Sequence, residues 1–168
     1  MLERTQTALA QRLAQEPGLI IEQVAKEYGV TLRDAVEALP EPMRRFAPGD
    51  KFEAVMMDIA RWGDITLIIH SDDGVMEFSG PVPEGKIAQD YYNLAGSTGF
   101  HGHLRYNRCA SIAFVERPTM GRASAAVLFI NTDGGIMFKV FVGRDEKREL
   151  KQDQLRAFHQ LAERLTKP

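Results

Sequence analysis

The run Ala123-Ser124-Ala125-Ala126-Val127-Leu128-Phe129-Ile130-Asn131, followed beyond Thr132-Asp133-Gly134-Gly135 by Ile136-Met137-Phe138-Lys139-Val140-Phe141-Val142, decides the fold class. Both flanks are strand-sized and rich in β-branched and aromatic residues, and Asp133-Gly134-Gly135 supplies the turn chemistry of a hairpin. Upstream the same signals repeat. Residues 65–70, 75–79, 94–96, 102–106 and 109–116 read as strands. Between them lie Asp72-Asp73-Gly74, Pro81-Val82-Pro83-Glu84-Gly85, Asn107-Arg108, and Pro118 with Gly121.

Helical periodicity lies on either side of this β region. Residues 5–15 form a polar-rich helix stopped by Pro17-Gly18. Ile21, Val24, Ala25 and Tyr28 recur at helical spacing up to Gly29, and Thr31 caps a third helix over 32–39 that Pro40 closes. Residues 43–50 read as a connector and 55–61 as a short helix. At the far end, Leu150, Leu155, Phe158, Leu161 and Leu165 make the apolar stripe of a closing helix that begins at Glu146 or Leu150. Helices, an antiparallel meander and a last helix predict an α+β fold in one domain, 1–168. Residues 1–45 are its helical segment and 46–168 its β-rich core with the C-terminal helix.

Composition narrows the functions. With 21 Lys and Arg against 23 Asp and Glu, the net charge of −2 lacks the basic face of a nucleic-acid binder. Residues 24–39 fit a helix-turn-helix, but the second helix turns Asp34 and Glu37 outward, the wrong sign for phosphate; a small helical lid or packing element is the plainer reading. The single cysteine, Cys109, excludes an internal disulfide and a cysteine-based metal centre. The start Met1-Leu2-Glu3-Arg4 is charged where a signal peptide is apolar, and no apolar run reaches the ~18 residues of a membrane span. The expectation is a cytoplasmic protein, with neither nucleic acid nor membrane as partner.

Three of the four histidines and two of the four tyrosines fall between residues 70 and 103. His70 ends one strand. His101-Gly102-His103 puts two imidazoles on one face if extended, and with His70 they could build a three-His metal site. No acidic residue follows the pair, however, and Gly99 and Gly102 suggest a loop with only one histidine aimed inward. Ser97-Thr98 near His101 could mimic a nucleophile and base, but no orienting carboxylate is close in sequence. Elbow, dinucleotide and P-loop motifs are missing. A tyrosine of Tyr91-Tyr92-Asn93-Leu94, with a histidine, instead suits an iron porphyrin in an apolar cleft. Arg105, Arg108, Arg122, Lys139 and Arg144 are the candidate cations for its propionates, and Met56-Met57 could line an adaptable wall.

The blocks Val30-Thr31-Leu32, Ala38-Leu39-Pro40, Pro48-Gly49-Asp50-Lys51-Phe52, Trp62-Gly63-Asp64 and Glu77-Phe78-Ser79-Gly80 carry a resemblance. So do Tyr92-Asn93-Leu94, Gly102-His103, Val115-Glu116-Arg117, Met120-Gly121 and Phe141-Val142-Gly143-Arg144-Asp145. In this order they resemble the heme-utilization cytosolic carriers of the HutX/ChuX type, from about residue 18 to the last helix. That resemblance implies one heme b per subunit, delivery to a heme-degrading partner enzyme, and a homodimer arranged like the larger HemS-type proteins. This chain would then be similar to half of such a protein, with a split-barrel-like sheet. It assigns His70, His103 and Tyr91 as candidate axial ligands and leaves His101 as a loop residue; of the candidate cations, Arg105 and Arg144 are the ones expected at the heme edge. Where relatives are expected to read Tyr-Phe-Asn-Leu-Arg-Gly, this chain has Ala95, so another cation must replace that arginine. The competing expectations are a heme-degrading or heme-reducing enzyme using an external electron donor, and a regulator whose N-terminal helices bind a protein.

Overall fold

The computed structural model describes residues 1–96 and 99–166. Three helices come first: α1 (Leu2–Gln15), α2 (Ile21–Tyr28) and α3 (Leu32–Glu37). Gly29 ends α2 in the left-handed region at φ 64°, which glycine adopts without strain. Thr31 caps α3 through a reciprocal capping box with Asp34. Then follow β1 (Arg44–Pro48), α4 (Phe52–Ile59), β2 (Asp64–Ser71), β3 (Gly74–Pro81), β4 (Gly85–Ala88), β5 (Tyr91–Leu94) and β6 (Gly102–Leu104). The chain closes with β7 (Cys109–Thr119), β8 (Arg122–Asn131), β9 (Ile136–Phe141) and α5 (Gln152–Thr166).

The strands form two antiparallel sheets. The larger has the order β1-β7-β8-β9-β2-β3 and the smaller β4-β5-β6. The expected 131–136 hairpin is present, and β7–β8–β9 is a meander. Several boundaries move. Residues 44–48 are a strand rather than a connector: β1 pairs with β7 at the sheet edge, where Pro48 disrupts no ladder. The expected strand at 94–96 lies earlier, at Tyr91–Leu94, and pairs with β4, which the surrounding turn signals hid. The short helix starts at Phe52 and stops at Ile59. α5 starts only at Gln152, because the preceding segment bridges Arg144 to Leu150 and carries Arg148 at φ 63°.

The middle of the larger sheet is covered on both sides, which explains why β8 is apolar at nearly every position. On one face Ala113, Val115, Ala126, Leu128 and Ile130 meet Leu9, Leu13, Val24 and Val36 of the N-terminal helices. Those helices therefore pack on a sheet; Val36 of the would-be recognition helix is fully buried, and Arg33 and Glu37 pair with each other outside. On the other face Ile112, Phe114, Val127 and Phe129 meet α4, α5 and the small sheet. Buried Gln154 of α5 accepts from Gly143 N and donates to the carbonyls of Trp62 and Asp64, tying α5 to the start of β2.

Phe52 is the hub of this second core. Its ring stands edge-on to Tyr92 at 5.6 Å, Phe129 at 5.2 Å and Phe138 at 6.2 Å. Through Phe52 of α4, Tyr92 thus ties the small sheet to the large one. Gly85 allows the fit, since a Cβ there would lie 2.3 Å from the Tyr92 ring.

Candidate functional site

Strand alternation splits β5 into two faces. Tyr92 and Leu94 are buried in the core, so Tyr91 and Asn93 point outward. The register then places Lys86 of β4 and His103 of β6 opposite Asn93 on either side, making a row Lys86–Asn93–His103 across the outer face. The Tyr91 ring stands edge-on to the His103 imidazole, centroids 5.9 Å apart. The guanidinium of Arg105 lies over the Tyr91 ring at 5.1 Å. Asn93 Oδ1 is 2.6 Å from His103 Nδ1.

Two of the three expected donors therefore meet, and the third does not. Ile65 and Leu67 of β2 point into the core that holds Tyr92, so His70, odd steps away from both, faces the N-terminal helices. There His70 Nδ1 lies 3.4 Å from Glu22 of α2, whose carboxylate also accepts a hydrogen bond from Lys139. Burial alone would push the Glu22 carboxyl up, but the charge and hydrogen bond of Lys139, with His70, outweigh it and hold it below the usual carboxylate range. His70 lines a cleft of about 450 Å³ with Glu22, Lys26, Leu32 and Asp72, and a Lys26–Asp72 ion pair of 2.6 Å crosses one end.

The expected cations separate likewise. Arg105 is on the Tyr91–His103 face. Arg108 pairs with Asp133 at 2.7 Å, Lys139 pairs with Glu22, and Arg122 opens β8 beyond the Met120-Gly121 turn. Arg144 donates to the carbonyls of Ala123 and Arg148, near the Asp64 end of β2 and about 20 Å along that strand from His70. It holds the connection into α5. The cation that the sequence reading missed is Lys86, whose position follows from a strand pairing that the sequence does not announce. Asn93 was visible within its motif, but without a role.

His101 is an exposed loop residue, and among the described residues no cluster of three or more His, Cys, Asp or Glu could hold a bare metal ion. Ser97 and Thr98 lie outside the described residues. A face with one imidazole, one phenol and two cations has the chemistry for an iron ligand carrying carboxylates. Apolar surface lies alongside: Phe100, before β6, stacks on Phe78 of β3 at 4.1 Å, and Ile69 and Met76 pair farther along the same hairpin with both side chains exposed.

Fold and face together define an α+β protein that presents nitrogen and phenol donors on an open sheet. The model of the Haem utilisation ChuX/HutX family matches residues 45–161, and the chain belongs to that family. It is 38% identical over 158 residues to the intracellular heme transport protein HutX of Vibrio cholerae, covering 94% of this chain and 82% of that protein. Its structure superposes on a protein from Erwinia carotovora with a TM-score of 0.91 at 43% identity, covering 94% and 98% of the two chains. The heme-binding protein ChuX gives a TM-score of 0.87 at 40% identity, covering 95% and 99%. The fold also recurs in holo-PhuS of Pseudomonas aeruginosa, with a TM-score of 0.74 at 17% identity; there 91% of this chain covers 44% of that one. Among the described residues no helix is long and apolar enough to cross a membrane.

Proposed function

We propose that this protein is an intracellular heme carrier that binds heme b on the outer face of the β4–β5–β6 sheet and passes it to a heme-degrading enzyme. The observation that carries this reading is the pairing of Tyr91 and His103 on an open face, with Lys86 and Arg105 beside them. Iron ligation falls to His103, with Tyr91 as the alternative donor, and the two cations meet the propionates. An open face favours release, as a carrier needs, and a family member over 30% identical is named for transport. In this reading residues 46–168 are the heme-binding body and 1–45 its helical cover.

The working unit is a homodimer. An open sheet face covers only one side of a porphyrin, and His70 faces the other way within the same chain. Strand β3 ends the larger sheet, and Val75 and Met76 on it are 53% and 67% exposed. One chain also accounts for a little under half of the PhuS fold. A second copy packed at this hairpin brings its His70 towards the opposite side of the heme.

Hemin titration of the apo-protein, followed by absorption, tests the reading. Saturation at one heme per chain is expected. His103→Ala should weaken binding by 10–100-fold, and Tyr91→Phe should change the spectrum more than the affinity. A non-saturating titration would refute the cargo. Light scattering tests the dimer, with Met76→Lys expected to yield monomers. Mixing His70→Ala with His103→Ala subunits should recover one wild-type-like site per heterodimer if both histidines serve one heme; no recovery would remove His70 from the ligand set.

A further inference from the structure

We infer that Asn93 is the positioning residue for His103, locking its imidazole in the tautomer that carries hydrogen on Nδ1 and turns the Nε2 lone pair outward. The inference rests on the reading of His103 as the iron donor, but its structural part stands on hydrogen-bond geometry alone.

The Asn93 amide is oriented by its surroundings. Its Nδ2 lies 3.1 Å from Lys86 O, 3.1 Å from Ala88 O and 3.3 Å from Tyr91 O. Carbonyl oxygens only accept, so the amide must turn its NH2 towards all three; the flipped amide would set Oδ1 against three like partners. Oδ1 is therefore the group 2.6 Å from His103 Nδ1. As Oδ1 has no hydrogen, Nδ1 must donate. A neutral imidazole with hydrogen on Nδ1 keeps its lone pair on Nε2, the ring nitrogen not engaged by Asn93.

The three carbonyls are themselves fixed. Lys86 pairs with Asn93 and Ala88 with Tyr91, and a two-residue turn, Gln89-Asp90, joins the strands. Both turn residues have positive φ, 54° and 68°, which is the type I′ geometry that suits a tight hairpin. On the other side Asn93 is the cross-strand partner of His103. The edge-on Tyr91 ring, at 69° to the imidazole, stands beside it. Backbone pairing, amide orientation and tautomer form one chain of constraint. It prepares the donor before any ligand arrives, as the partners behind metal-bound histidines do. Unconstrained histidine in water favours the opposite tautomer, so the arrangement is distinguishable from no interaction at all.

The test is long-range ¹H–¹⁵N correlation NMR on the full-length apo-protein, at a pH where the imidazoles are neutral, with His103 assigned by its absence in His103→Ala. The expected result is an Nδ1–H tautomer for His103 in the wild type, reverting towards Nε2–H in Asn93→Ala. Heme affinity of Asn93→Ala should fall by about 10–100-fold. An Nε2–H signal in the wild type, or a tautomer unchanged in Asn93→Ala, would overturn the proposal. The wild-type spectrum needs no variant, so a misfolded Asn93→Ala, recognised by circular dichroism, still leaves a decisive measurement. If the tautomer behaves as expected while His103→Ala binds heme as tightly as wild type, the positioning stands and the ligand assignment fails.

Discussion

The two sheets of this protein are built from the same kind of hairpin yet do opposite work. The six-stranded sheet is buried on both faces along β7 and β8, with Phe129 and Leu128 pointing into separate cores from adjacent positions of β8. The three-stranded sheet buries only Tyr92, Leu94 and their neighbours, and leaves Tyr91, Asn93 and His103 on its open side. On the proposed reading, stability is thus concentrated in one sheet and heme binding in the other. Phe52 of α4, edge-on to Tyr92 of the small sheet and to Phe129 and Phe138 of the large one, is an aromatic joint between them. A core substitution in β7, β8 or β9 should lower stability and leave the proposed binding face intact until the chain unfolds. One on the open side of the small sheet should weaken binding more than it lowers stability.

The sharpest way to break that comparison is Phe129→Ala. It deletes a fully buried ring packed on Phe52 and Phe138, and should lower the unfolding free energy by about 3–5 kcal/mol, read by chemical denaturation. Heme affinity of the folded fraction should stay the same; a matching loss would mean that the sheets are not separable.

Next comes Glu22→Gln, which leaves Lys139, 12% exposed, without its carboxylate. A loss of about 2–3 kcal/mol is expected, below that of a fully buried pair. The pH dependence follows from the direction of the Glu22 shift. Its folded value is depressed, so its contribution is present above the unfolded carboxylate value and fades as pH falls through the folded one. Wild type should therefore lose stability in acid more steeply than Glu22→Gln.

Gly85→Ala should be milder for stability, about 1–3 kcal/mol, because the new methyl meets the Tyr92 ring in a packed site. Yet it should weaken heme binding more than Phe129→Ala does, since it pries β4 from β5 beneath Lys86 and Asn93. Equal effects in the two variants would contradict the division of labour. The smallest effect is expected of Asp90→Gly, which relieves a positive φ of 68° and should stabilise by about 1 kcal/mol, with heme binding unchanged.

What the sequence disclosed follows the range of each signal. Gly29, Thr31 and the turn at Asp133-Gly134-Gly135 act within a few residues, so the ends of α2 and α3 and the last hairpin were legible. β1 and β4 were not: the first is bracketed by prolines, and the second follows a proline-rich turn and has little apolar pattern. At the site, Tyr91 and His103 were legible as residue types, but their meeting depends on the β5–β6 register, which no local pattern encodes. His70 was grouped with them by the family resemblance and by closeness in sequence, whereas its strand belongs to the other sheet and its side chain to the other face. Arg144 looked like a ligand-facing cation, but backbone carbonyls nearby occupy it.

The consecutive tyrosines of β5 have a consequence for how this chain avoids misassembly. A strand that slips by one residue exchanges its two faces, and the penalty usually comes from burying the wrong chemistry. Here a slip would replace Tyr92 with Tyr91 in the aromatic joint, one phenol for another, so that position alone could barely detect the error. Detection falls to the residues that follow. The same slip would drive the Asn93 amide into an apolar interior without its three carbonyl partners and strand Leu94 in water. Asn93 and Leu94 therefore proofread the register of their own strand together, the amide by the partners it would lose and the leucine by the water it would meet.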